Sequence, residues 1–299
     1  MEFRNIIISN PAKISVHHKQ LMISQTEDIL IPLEDICTLM VESRQVQFTA
    51  AALESLATEG VTVFFCDETH LPSAQILSFH QHSRQKKLLF AQFDLPKPLK
   101  KRLWQTVVQE KIRNQARCLS FLNREGSDEL FKLAEHVHSG DTDNMEAQAA
   151  AMYFRYLFGD KFSRGLPCIE NSALNYGYAI IRGCIARNLV MHGLDPAVGI
   201  FHHSDLNAFN LADDILEPYR PLVDLFVATM DFGEEEDLLP QRKHELVNLT
   251  NYLMLQDDKK LRVMVSADRT TASLAASISE QELRLTLPQL IPLEEGRYE

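Results

Sequence analysis

At 299 residues the chain can bury a sizeable core and, at roughly 100–200 residues per domain, make two of them. Hydrophobic residues at 45% and charged residues at 24% exclude extended disorder, and a net charge of −11, taken globally, argues against a nucleic-acid partner. No apolar run approaches the ~20 residues that span a bilayer, and the start MEFRNIIISNPAK lacks the zones of a signal peptide, so a cytoplasmic protein is expected.

The first part of the chain predicts a small β-rich domain over 1–85. Short runs rich in Ile, Val, Leu and Phe (FRNIIIS, KISVHH, LMIS, ILIP, ICTLMV, VTVFFC and AQILSF) are separated by polar breaks. One helix near 49–58 (TAAALESLAT) interrupts them, and Gly60 stops it. The five cysteines, Cys37, Cys66, Cys118, Cys168 and Cys184, are scattered singly without a C-x-x-C pair and read as reduced core residues.

Charge then changes sign. From Arg84 to Arg117 ten basic residues stand against two acidic ones, Asp94 and Glu110, a local balance of +8 that leaves −19 for the remainder. A solvated helix face laced with ion pairs would need more acids than this, so a surface for phosphate oxygens is expected, with Arg84, Lys86, Lys87, Lys100, Lys101 and Arg102 as its cations. Trp104 within it reads as core. Residues 86–96 are expected as a linker, with DLPKP at 94–98 as the hinge.

Beyond it, 97–299 reads as all-helical. Apolar spacing near 3.6 runs through KRLWQTVVQEKIRNQARCLSFL, NMEAQAAAMYFRYLF, NSALNYGYAIIRGCIARNLVMHG and RKHELVNLTNYLML. The fold class is therefore α+β, a small β-rich domain followed by a larger helical one. The tail after about residue 280 gives no physical basis for choosing between order and looseness.

Three places in the helical part could carry chemistry. Glu146, capped by Asp143 or Asn144, would lie in the first turn of its helix, where end stabilisation alone explains a carboxylate. On the long helix from about Asn171 to Gly193, Gly177, Ala179, Gly183 and Ala186 permit close packing, and Asn175, Tyr178 and Arg182 form a polar set. The third is GIFHHSDLNAFNLADDILEPYRP, residues 199–221, which gathers His202, His203, Asp214, Glu217 and Arg220. Asp214 and Glu217 share a face if a helix starts near Asn210, and Pro218 puts Glu217 at a boundary with an unusual backbone. Each residue taken singly has a structural explanation. A site of carboxylates plus one imidazole, without thiolates, suits magnesium or manganese better than structural zinc.

This composite pattern, a glutamate followed by a G-x-x-H segment and then a DxxEPxRP segment, closely resembles the CRISPR adaptation integrase, CRISPR-associated protein one, in the form found beside type II systems. The resemblance covers nearly the whole chain. It implies a metal held by Glu146, His202 and Glu217; His203 is the alternative imidazole, and spacing to both carboxylates favours His202. It implies auxiliary roles for Asp214, with Arg220 pairing with it or reaching a phosphate, and leaves Tyr178 as a further auxiliary candidate. The implied reaction is attack of a protospacer 3′-hydroxyl on a phosphodiester at a repeat end, with metal-dependent DNA cleavage as a side activity. The implied partners are duplex DNA (protospacer and repeat), a second copy joined through the β-rich domain, a dimer of CRISPR-associated protein two flanked by two integrase dimers, and other type II adaptation proteins. A catalytically decayed assembly subunit and a metal-dependent phosphohydrolase are the rival readings.

Overall fold

The computed structural model describes residues 4–68, 72–78 and 83–296. Phe3 and Phe79, which the apolar runs included, lie outside them. The chain divides into two compact units, the first ending at Gln81 and the second His82–Gly296.

The first unit carries strands β1 (Arg4–Ile8), β2 (Lys13–His17), β3 (Gln20–Ser24), β4 (Asp28–Pro32), β5 (Ile36–Val41) and β6 (Gln47–Phe48), then helix α1 (Ala50–Thr58) and strands β7 (Thr62–Cys66) and β8 (Pro72–Gln75). They form two four-stranded sheets, in the orders β1-β5-β7-β8 and β4-β3-β2-β6. Strand β5 lies parallel between β1 and β7 and every residue in it is buried, which is why ICTLMV reads as a continuous apolar run rather than an alternating one. The Thr49 hydroxyl caps α1 by accepting from Ala52 N, and Gly60 takes φ +71 just past its end, as the sequence predicted. Ile14, Leu21, Leu39, Leu56 and Val63 form the fully buried centre of this core.

The second unit opens with α2 (Gln85–Phe93) and α3 (Lys97–Phe121), so most of the expected 86–96 linker is helix, and Leu95 in the short turn between the two is buried. Helices α4 (Ser127–Glu135), α5 (Met145–Phe158) and α6 (Ile169–Met191) follow, then α7 (Asn210–Leu216), a 3-10 turn over Glu217–Tyr219, α8 (Arg220–Thr229) and α9 (Pro240–Val247). The unit is not all-helical. Where RKHELVNLTNYLML predicted one helix, α9 ends at Val247, and β9 (Leu253–Gln256) pairs antiparallel with β10 (Lys259–Arg262). Asp257 and Asp258 turn that hairpin at φ +49 and +59, left-handed values that short acidic side chains tolerate. Helix α10 (Val263–Glu280) closes the unit.

Helix α3 is the axis of this unit, packing against α4, α5, α8 and the 3-10 turn, while α6 packs against α7, α8, α9 and α10. The missing side chain of Gly177 sets one such approach, because a Cβ there would stand 2.5 Å from Val223 Cγ1. The tail beyond α10 is ordered through residue 296: the Asn114 side-chain amide donates to the Pro218 and Pro288 carbonyls at 2.8 and 2.9 Å, and its oxygen accepts from Leu290 N at 2.9 Å. None of the five cysteines forms a disulfide, and four of them are buried. Among the described residues no helix is long and apolar enough to cross a membrane.

Candidate active site

Glu146 stands in the first turn of α5, but its cap is neither Asp143 nor Asn144. Asn144 is left-handed at φ +53 and makes no side-chain cap; Asp141, three residues earlier, accepts from Met145 N at 2.8 Å and Glu146 N at 3.1 Å. With the first amides already satisfied, the Glu146 carboxylate is released from a capping role and points to Lys111 of α3, whose ammonium donates to Oε1 at 2.5 Å.

Glu217 opens the 3-10 turn between α7 and α8. Its backbone is ordinary right-handed helix, φ −51 and ψ −46, so the unusual geometry expected before Pro218 does not occur. Its side chain is 5% exposed and is held by two cations: the Lys111 ammonium forms an ion pair with Oε2 and Arg220 Nε donates to Oε1 at 2.9 Å. Burial alone would raise the Glu217 carboxyl, yet Arg220 and Lys111 outweigh it and hold it at about 2. For Lys111 burial lowers the ammonium, and Glu217 and Glu146 together more than reverse this. Arg220 is therefore paired with Glu217 rather than with Asp214, which was one of the two roles the resemblance implied for it; its guanidinium also lies 4.6 Å over the Tyr178 ring.

The G-x-x-H segment wraps around Asp214, which is completely buried. Asp214 Oδ2 accepts from Ile200 N at 2.6 Å and Phe201 N at 3.0 Å, while Oδ1 accepts from His202 N at 3.1 Å and His202 Nδ1 at 2.7 Å. The glycine has a steric cause, since a Cβ on Gly199 would meet the His202 carbonyl oxygen at 2.1 Å. A carboxylate can only accept, so Nδ1 carries the proton and the neutral imidazole keeps its lone pair on Nε2. The bond to Asp214 raises the pKa of His202 against a smaller opposing effect of burial. Asn210 locks the rest of the loop, accepting from Ser204 N and donating to the Ala197, Ser204 and Asn207 carbonyls. Trp104 stacks on Phe201 at 4.2 Å and meets the His202 ring edge-on at 5.8 Å. His203 is exposed and its Nδ1 bonds the Phe201 carbonyl, which leaves His202 as the imidazole directed inward.

Among the described residues no three His, Cys, Asp or Glu side chains are placed to hold a metal ion together. The donor chemistry nevertheless fits a hard divalent cation, because Glu146 and Glu217 already converge on one positive charge, the Lys111 ammonium. His202 is oriented by a carboxylate, as metal-binding imidazoles are.

Of the remaining expected residues, Tyr178 is buried and its hydroxyl donates to Asp224, which also accepts from Tyr153 at 3.0 Å. Burial drives the Asp224 carboxyl up, and the two tyrosines only partly offset it, leaving it at about 6. The basic stretch splits in two. Arg84, Lys86, Lys87, Lys101 and Arg102 are exposed and Lys100 half-buried on α2 and α3, whereas Lys111 is buried in the site and Arg113 and Arg117 both pair with Glu110. Sequence reasoning did not single out Lys111, Asp141, Asp224 or Asn114, which contact the expected site residues or the backbone beside them. Lys111 had a signal: it falls on the apolar face of α3 with Trp104, Val108 and Cys118, at helical spacing.

Residues 6–231 match the family described as CRISPR associated protein Cas1. The chain belongs to that family. Over its full length this Cas1-family chain is 41% identical to a CRISPR-associated endonuclease Cas1 of Neisseria meningitidis serogroup C (strain 8013), with 100% of both chains covered. In fold it resembles a casposase bound to integration product, at TM-score 0.76 and 19% identity, covering 95% of this chain and 92% of that one. It also resembles part of a Cas6-RT-Cas1–Cas2 complex, at TM-score 0.71 and 17% identity, over 97% of this chain and 36% of that one. The mixed architecture of the Cas1 family is thus the α+β fold expected from the sequence.

Proposed function

We propose that the protein is a divalent-metal-dependent DNA integrase and endonuclease of CRISPR adaptation, which joins the 3′-hydroxyl of a protospacer to a phosphodiester at a repeat end of the CRISPR array. The observation that carries the reading is the convergence of Glu146 and Glu217 on one cation, together with an imidazole that Asp214 orients and that feels the charge of Glu217. The full-length likeness to a CRISPR-associated endonuclease Cas1, and the shared fold with a casposase bound to integration product, support it.

Glu146, His202 through Nε2, and Glu217 would hold magnesium or manganese. The ion would supply activation of the attacking hydroxyl and neutralisation of charge on the phosphorus, without a covalent protein intermediate. Asp214 fixes the imidazole and the loop that bears it, and Arg220 keeps Glu217 ionised and aimed. Arg84, Lys86, Lys87, Lys100, Lys101 and Arg102 would follow the sugar-phosphate backbone, contacts that position a duplex without reading its sequence. A homodimer built through the β-rich unit, with two such dimers flanking a Cas2 dimer, would set two sites a fixed DNA length apart; the likeness to a complex that contains Cas1 and Cas2 supports the pairing.

The test is strand transfer of a short duplex with free 3′-hydroxyls into a supercoiled plasmid bearing a repeat, with the Cas2-type partner and manganese or magnesium. Metal-dependent joining that disappears in Glu146→Ala, His202→Ala and Glu217→Ala is expected. Joining that survives His202→Ala and fails in His203→Ala would move the imidazole role by one residue. Duplex binding without joining under either metal would overturn the integrase reading in favour of an assembly subunit.

A further inference from the structure

We propose that Lys111 is the resident counter-ion of the Glu146–Glu217 pair and that a divalent cation binds by displacing its ammonium. The inference rests on the metal-dependent reading above and adds to it a residue that sets how readily the ion enters.

Position argues for it first. One ammonium contacts Glu146 Oε1 and Glu217 Oε2, so it stands between the two carboxylates where a shared ion would have to stand. The other oxygen of Glu217 is taken by Arg220, so Lys111 occupies the side of that carboxylate that faces its partner. Charge argues for it next. Two carboxylates face two cations, Lys111 and Arg220, and the cluster is neutral without metal. A dication added with both cations in place would lie against an ammonium in a buried setting, where like charges repel strongly.

Of the two cations, Lys111 is the one built to leave. Its charge is a compact point on a flexible four-carbon stem, whereas the Arg220 guanidinium is held by its bond to Glu217 and by its seat over the Tyr178 ring. An approach exists as well, because the Glu146 side chain is 25% exposed while those of Lys111 and Glu217 lie deeper. Lys111 therefore acts as a positioning residue. It keeps the carboxylates converged when no ion is bound, and it competes with the ion for them.

The experiment measures manganese affinity by calorimetry, and thermal unfolding in chelator and in manganese, for the unmodified protein, Lys111→Met, Lys111→Gln and Glu217→Ala. Both neutral Lys111 variants are expected to be less stable than the unmodified protein in chelator, to gain more from manganese, and to bind it roughly ten-fold or more tightly once the competing charge is gone. If a neutral variant fails to fold in chelator, recovery of a cooperative transition on adding manganese reports the same exchange. Manganese affinity that is unchanged or weakened in both neutral variants, or neutral variants that manganese does not restore, would overturn the proposal while leaving the metal site intact. Equal manganese binding by the unmodified protein and Glu217→Ala, or none by either, would instead remove the metal-dependent reading and this inference with it.

Discussion

Replacing Asp214 with alanine strips four donors of their acceptor: the amides of Ile200, Phe201 and His202 and the His202 Nδ1–H. Hydrogen bonds to an ionised acceptor contribute ~1.5–3 kcal/mol each, so the three backbone donors alone represent about 5–9 kcal/mol if all of them stay buried in the variant. Phe201 is exposed and Ile200 and His202 are half-buried, so water would recover part of this, and a net loss of about 3–5 kcal/mol is expected. The assay is built into the fold. Trp104 is the single tryptophan, buried and stacked on Phe201, so its fluorescence during urea unfolding reports on the loop that changes. Asp214→Asn keeps the shape but turns an NH2 toward donors, and it should recover less than half of the lost stability. A fall of under about 1 kcal/mol in Asp214→Ala, with Trp104 emission unchanged, would refute the idea that this carboxylate organises the loop.

Gly199→Ala should act on the same loop by steric means: a Cβ 2.1 Å from a backbone oxygen forces the chain to move, and strand transfer should fall as far as in His202→Ala; full activity would show that the close approach is dispensable. For Asp224 the folded carboxyl sits at about 6 against an ordinary 3.8, so the folded state holds a proton the unfolded state has lost. Stability should therefore decline as pH rises from about 4 to about 6, by up to ~3 kcal/mol from this group. Asp224→Asn should flatten that slope in urea midpoints taken across the range, and an unaltered slope would exclude Asp224 as its source. Reversing Lys100, Lys101 and Arg102 to glutamate should weaken duplex binding across all sequences and reduce the steepness of its salt dependence. If affinity is retained, the DNA path lies elsewhere.

The β-rich unit was legible because its strands are apolar runs punctuated by turn residues, and α1 announced itself with Thr49 before it and Gly60 after it. Strand β6, two residues long, has no length in which to show a period. The β9–β10 hairpin was hidden because LVNLTNYLML satisfies a 3.6 spacing as well as an alternating one; Asp257-Asp258 was the clue that tertiary pairing turned into a hairpin. At the site, His202, Asp214 and Glu217 were readable together since they lie within 16 residues, and α7 does begin at Asn210. Lys111 was not, because a charge census treats every lysine as surface, and its partners lie 35 and 106 residues away. Asp141 escaped for a related reason: the αL backbone at Asn144 moved the cap upstream of where periodicity places it.

Asn114 joins two places that the sequence keeps far apart. Its amide grips the carbonyl of Pro218, the residue after Glu217, and with its other hydrogen the carbonyl of Pro288 in the tail; its oxygen holds Leu290. The turn that aims the Glu217 carboxylate and the outer segment that edges β9 at Leu255 and Gln289 thus hang from one side chain. Anything that lifts that segment, such as a partner strand competing for the hairpin edge, would loosen the anchor on Pro218. The reach of the site accordingly extends to a surface that carries none of its reacting groups.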